Sequence, residues 1–254
     1  MTLTASAPRA AESTHWYSRD GAPTYTVIGN NGKERPTTLR DARKLNLVPS
    51  VTTILNVAAK PALTQWMQRQ VLMAALTLPK IADETEDQYI DRIISDSKEQ
   101  GRAAADDGTK IHESIQSFYE GKSYIQAHEP HVEACRAALK EKFGHREWIC
   151  EMPFAHELGF GGKVDMHCED IIVDIKTKEF GPDDDVKPYD DHLMQLAAYS
   201  VGLGKPDARC ANVFVSRSHP GTVVIHEWTS EDLKRGWAMF VALLQFWQLK
   251  SNHQ

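Results

Sequence analysis

"GGKVDMHCEDIIVDIKTKEF", residues 161–180, decides the fold. Apolar residues alternate through both halves of the stretch, which is the period of a half-buried strand. Glu169-Asp170 breaks the pattern in the middle, so two strands joined by a turn are expected. Side chains alternate across a strand. Val164, Met166 and Cys168 then take one face of the first strand, and Lys163, Asp165 and His167 the other. In the second strand Ile171, Val173 and Ile175 share a face, and Ile172, Asp174 and Lys176 the opposite one. Pairing through the turn lets Asp165 and Asp174 converge, with Lys176 one step along. Two carboxylates on rigid strands make a hard oxygen site suited to Mg²⁺ or Mn²⁺. A lysine beside it can hold a phosphate or deprotonate a water, and a neighbouring cation lowers its pKa. A bound metal would activate that water and stabilise the leaving oxygen. A D-x-K triplet alone is better read as the wet face of an exposed hairpin, since such triplets are common by chance. Gly161-Gly162 before the strand, and the second acid at a matching distance, favour the site.

Working outward, "WICEMPFAH" reads as a strand before the pair. After it come a helix, "HLMQLAAYSVGL", and the strands "ANVFVSRS" and "TVVIHEW", with His219-Pro220-Gly221 at their turn. A closing helix begins at "SEDLKRG", with Ser230 as its N-cap. Upstream the period is helical. Ser50 in "LVPSVTTIL" caps a short helix through Leu55, and Pro61 opens the next. Residues 85–100 read as a charged helix, residues 103–120 as a second carrying Ile111, Ile115 and Phe118, and residues 129–143 as a third. Trp66, Trp237 and Trp247 are assigned to the core. Residues 14–40 suggest a hairpin around Asn30-Asn31-Gly32. The expectation is an α/β protein with a mixed central β-sheet flanked by helices and a helical N-terminal half. Residues 1–45 are a tail and small β-hairpin appendage, and residues 46–254 the main domain.

The chain of 254 residues is 41% hydrophobic and 25% charged, ordinary values for a globular domain. A net charge of -6 argues against a purely electrostatic nucleic-acid binder, though not against an enzyme acting on nucleic acid. The four cysteines form no C-x-x-C pair, which points to free thiols in a reducing compartment. No apolar run approaches the roughly 20 residues of a membrane span. "MTLTASAPRAAEST" lacks the apolar centre of a secretory signal and reads as a loose tail, so a cytoplasmic protein without a membrane partner is expected.

The motifs around the opening stretch resemble the PD-(D/E)XK nuclease superfamily, in particular its RecB-type branch. That branch carries a G-x-x-D strand, a D-x-K strand, a following Q-x-x-x-Y helix and an upstream G-x-x-x-H helix. Here these are Gly162 to Asp165, Asp174 to Lys176, Gln195 to Tyr199 and Gly108 to His112, in the family's order over residues 108–199. "LVPSVTTIL" also looks like the corresponding stretch of phage and bacterial exonucleases of this branch and of the mitochondrial genome maintenance exonuclease. The resemblance implies a restriction-endonuclease-like core. It implies that His112, Asp165, Asp174 and the backbone carbonyl of Ile175 hold Mg²⁺, with Mn²⁺ able to substitute, and that Lys176 is catalytic. Gln195 and Tyr199 would hold DNA or orient the lysine, and they share a helix face at their spacing of four. Glu151 matches a frequent glutamate of the branch and takes a supporting role. Lys178 and Arg217 are candidate phosphate contacts, each with a solvated charge as its plainer reading. The C-terminal third holds only Cys210, so the iron–sulfur cluster of some relatives is not expected.

The activity implied by the resemblance is that of a Mg²⁺-dependent deoxyribonuclease, an exonuclease in phage or bacterial recombination, repair or genome processing. DNA is the substrate, and a single-strand annealing or recombination protein the implied companion. One alternative is a structure-specific or restriction-type endonuclease, disfavoured because no separate sequence-reading domain is evident. Another is a non-catalytic DNA-binding module, disfavoured because His112, Asp165, Asp174 and Lys176 are all present.

Overall fold

The computed structural model describes residues 15–254, so the tail read from the first residues lies outside the described residues. In chain order the elements are β1 (Trp16–Tyr17), β2 (Thr26–Ile28), β3 (Glu34–Pro36), α1 (Leu39–Leu45), β4 (Val48–Pro49), α2 (Val51–Leu55), α3 (Pro61–Thr77), α4 (Glu86–Tyr119), α5 (Glu129–Phe143), β5 (Ile149–His156), β6 (Phe160–His167), β7 (Ile171–Lys178), α6 (Asp190–Gly202), β8 (Arg209–Ser216), β9 (Val223–Trp228) and α7 (Ser230–Ser251). Strands β5 to β9 form one five-stranded sheet in sequential order. Only the β7–β8 pair is parallel. A parallel pair needs a crossover, and α6 supplies it. The expected mixed α/β architecture is thus present.

Apolar side chains on the two faces of the sheet build two cores. Phe160, Val164, Ile172 and Cys210 pack with residues of α2, α6 and α7, among them Ile54, Leu196, Phe240 and Leu244. Met166, Val173, Ile175 and Val213 pack with Ile111 and Ile115 of α4 and Val132 and Leu139 of α5. Val164 and Met166 therefore face different cores, although alternation alone puts them together. The reason lies at Asp165. The β6–β7 ladder runs only through Met166↔Val173 and His167↔Ile172. Across from it on β5, Glu151 has a left-handed backbone, φ 56°. Beyond Met166 the strands part, and β6 turns its next apolar residue to the other core.

The two helices expected over residues 85–120 are one helix of 34 residues, about 51 Å long at 1.5 Å per residue. Thr85 closes its N-terminus in a capping box with Gln88. Its two interior glycines, Gly101 and Gly108, cost a helix only about 1 kcal/mol each, and no proline interrupts the run. The C-terminal half of α4 packs on the sheet through Ile111 and Ile115. The N-terminal half packs on α3, and Tyr89 Oη donates to the Leu78 carbonyl at 2.8 Å. Among the described side chains of α3 only Ala74 is buried, while Leu63, Met67, Leu72 and Leu76 are exposed. Trp66, assigned to the core, is 44% exposed because α3 lies outside the body of the sheet. Trp247 is buried as expected, and Trp237 is partly buried against the same core.

The hairpin around Gly32 forms, with Thr26↔Pro36 and Ile28↔Glu34 opposite. The residues just before it are built into the body. Strand β1 pairs with β4, and the buried Trp16 ring stands edge-on to Trp247 at 6.0 Å. Helix α7 is capped by Thr229 rather than Ser230, its hydroxyl accepting from Asp232 N at 3.1 Å. All four cysteines are free thiols. Among the described residues, no helix is long and apolar enough to cross a membrane.

Candidate active site

The parting of β6 from β7 makes the site. Asp165 Oδ2 sits in the gap and accepts from Ile175 N at 2.8 Å, taking the place of a lost ladder bond. The same oxygen lies 3.0 Å from His112 Nε2 on α4. One turn before His112, Gly108 lets α4 press against β7. A Cβ there would lie 2.3 Å from Thr177 Oγ1, so any larger residue has to displace that side chain or the helix. The G-x-x-x-H spacing is thus a contact distance as well as a motif.

On the opposite face of β7, Asp174 is fully buried. Its Oδ1 accepts from Lys176 Nζ at 2.8 Å and its Oδ2 from Asn212 Nδ2 at 2.8 Å. Asn212, on β8, stands directly beside Asp174 in the parallel register. Trp228 Nε1 on β9 donates to Asn212 Oδ1 at 2.8 Å, which fixes the amide's orientation. Lys176 also donates to Gln195 Oε1 at 3.1 Å, and Gln195 Nε2 to Tyr199 Oη at 2.8 Å. The Q-x-x-x-Y pair of α6 therefore forms a bracket around the lysine.

Asn212 was not singled out from sequence, yet a signal existed. An asparagine in the middle of the apolar strand "ANVFVS" must find a partner when buried. Tyr17 and Tyr25 were missed as well. Their hydroxyls lie 2.8 Å apart at the mouth of the cleft. The cleft has a volume of about 510 Å³, and His112, Asp165, Asp174, Lys176, Gln195 and Tyr199 all line it.

Gly162 adjoins this bracket. A Cβ on it would lie 2.9 Å from the Phe154 ring and 3.0 Å from that of Tyr199. Overpacking of buried rings costs about 1–3 kcal/mol. Gly162→Ala is therefore expected to lower the stability measured by chemical unfolding by that amount; an unchanged midpoint would show that the rings yield freely.

Charge in the cleft is finely opposed. Burial pushes the Asp174 carboxyl up to about 6, Lys176 opposes the shift and Asp165 adds to it. Burial acts on Asp165 in the same direction, but His112 and Lys176 outweigh it and hold that carboxyl below its ordinary range. Burial disfavours the charged His112 and Lys176, yet the carboxylates facing them raise both. A buried carboxylate, Asp174, and a partly buried one, Asp165, thus face one cleft with a cation against each. Among the described residues, no three His, Cys, Asp or Glu side chains converge as a ready-made metal cage, because these oxygens are engaged with His112, Lys176, Asn212 and Ile175 N. The donor chemistry, two carboxylates with an imidazole beside a backbone carbonyl, suits a hard divalent ion.

Other candidates from the sequence lie further out. Glu151 forms an ion pair with Lys163, which itself lines the cleft. Lys178 donates to the Lys187 carbonyl at 3.3 Å, and its ammonium lies over the Tyr189 and Phe214 rings. Arg217 pairs with Glu179 at 3.2 Å and lines a second cavity next to the cleft.

No protein-family model matches the chain, and no curated protein matches it. Among solved structures it is similar to a Eubacterium rectale protein provisionally named an exonuclease, with a TM-score of 0.42 and 13% identity over 58% of this chain and 69% of that one. It is also similar to an alkaline exonuclease from Laribacter hongkongensis, with a TM-score of 0.31 and 16% identity over 74% of this chain and 98% of that one. The complex of that enzyme with dAMP gives a TM-score of 0.33 and 15% identity over 80% and 90%.

Proposed function

We propose that the protein is a metal-dependent DNA exonuclease of the PD-(D/E)XK type, in phage or bacterial recombination, repair or genome processing. The observation that carries this reading is the buried Asp174 held between Lys176 and Asn212, with Asp165 and His112 on the same cleft. Burying a carboxylate costs several kcal/mol, so this arrangement is a poor way to stabilise a fold and a good way to prepare a reactive centre.

Asp165, Asp174, His112 and the Ile175 carbonyl would hold a Mg²⁺ ion, which Mn²⁺ can replace. When bound, the ion supplies a Lewis acid for the phosphate and lowers the pKa of a water. Lys176, held by Asp174 and Gln195 as a charged ammonium, would donate to that water's oxygen or to the phosphate and offset the negative charge developing there. Tyr199 fixes Gln195, and so fixes the lysine. Asn212 and Trp228 keep the Asp174 carboxylate in one orientation. Contact with DNA would be through its backbone, not its base edges.

The test uses the purified protein with Mg²⁺, Mn²⁺ or EDTA and end-labelled DNA, linear or closed circular, single- or double-stranded. Metal-dependent release of nucleotides from ends is expected. Cleavage of circles would replace the exonuclease by an endonuclease, and no hydrolysis of any substrate would leave a binding module.

A further inference from the structure

A second cavity, of about 1070 Å³, adjoins the catalytic cleft, and the two share Thr177 of β7 and Ala105 of α4. Its walls are largely apolar, with Leu63 of α3, Met194 of α6 and Leu243 of α7 among them. Two aromatic rings line it: Trp66, 44% exposed, and Tyr189, 54% exposed, with the Lys178 ammonium 4.4 Å from the Tyr189 ring centre. A Cβ built on Gly101 would lie 3.6 Å from the Trp66 ring, so α4 backs that ring closely. Lys60 and Arg217 bring positive charge to the same walls. The acids there, Asp191 and Asp190, are paired at 3.4 Å with Lys60 and Arg235 respectively.

Lys60 and Arg217 can meet the phosphates of any strand, but the apolar, aromatic part of the wall has nothing to offer the bases of a duplex, whose faces are hidden within the stack. Unpaired bases stack on such rings whatever their identity. The size exceeds what a single small ligand needs, and the cavity shares Thr177 with the cleft that Asp165, Asp174 and Lys176 line.

We infer that this cavity holds unpaired bases of the strand being cut, stacked on Trp66 and Tyr189, so that the substrate is a single-stranded DNA end. This rests on the nuclease reading for the chemistry at the phosphate, but the binding claim is tested separately.

The full chain, in EDTA so that no strand is cut, is titrated against fluorescent oligothymidylate and against an abasic strand of equal length. Both carry the same phosphates. The wild type is expected to bind the base-bearing strand about 10-fold or more tightly than the abasic one. Trp66→Ala should remove most of that difference, and Trp66→Phe should restore much of it. Trp66 is half-open on α3, so its removal should leave the unfolding midpoint in place. Equal binding of the two strands by the wild type, equal losses for both in Trp66→Ala, or binding of neither, would each overturn the proposal. Hydrolysis of single strands at the same rate by wild type and Trp66→Ala would remove the cavity and keep the nuclease. Trp66-dependent binding with no hydrolysis in any metal would keep the cavity and remove the nuclease.

Discussion

Asp174→Asn is expected to lower the rate of DNA hydrolysis by about 10³-fold or more at saturating Mg²⁺. The change is isosteric, and Asn212 can still donate to the remaining oxygen, so the fold should hold. The loss is of a negative charge where the proposed ion and the lysine would meet. Metal-borne charge stabilisation is worth several kcal/mol, and each 1.36 kcal/mol is a factor of about ten in rate. The lysine also loses its anion: an amide in place of Oδ1 would turn a donor toward Lys176 Nζ, where an acceptor now sits at 2.8 Å. Single-turnover assays over a range of Mg²⁺ concentration separate weakened ion binding from a slower chemical step. Near wild-type turnover would show that chemistry happens elsewhere.

Lys176→Met is expected to show both a catalytic and a structural loss. A positioned donor to developing charge contributes about 10²–10³-fold, so hydrolysis should fall by about that factor. Removing one partner of a buried pair leaves the other charge uncompensated, at about 3–5 kcal/mol for a fully buried pair. The Lys176 side chain is 27% exposed and Asn212 still serves Asp174, so a loss nearer 2 kcal/mol is expected. The double variant Lys176→Met/Asp174→Asn tests the cause. If the penalty comes from the stranded carboxylate, the double variant will be more stable than Lys176→Met alone. Additive losses in urea unfolding would mean that the pair contributes through packing rather than charge.

Much of this centre was legible in the chain. The alternation through residues 161–180 placed both acids and the lysine on strands, and the spacing of four placed Gln195 and Tyr199 on one helix face. These are local periodicities, set by backbone geometry and readable without a partner. The fold sets Gln195 against Lys176, its Oε1 accepting from the lysine Nζ at 3.1 Å. The face assigned to Val164 was wrong because alternation assumes an unbroken ladder, and β6 leaves β7 after Met166. Trp66 was misplaced because an apolar helical stripe looks the same whether it meets a core or another exposed helix. The division of α4 into helices over 85–100 and 103–120 left a gap at residues 101–102, where the helix runs on unbroken.

The sequence by itself determined the order of strands and helices, the residue types of the proposed cation site, and the glycines that precede Asp165 and His112. Only the tertiary structure decided how those parts meet. It brought His112 to 3.0 Å from Asp165, set Asn212 beside Asp174, and opened an aromatic cavity next to the cleft. Those contacts depend on where strands part and where distant elements cross. Such features come from the packing of the whole domain, and no local period encodes them.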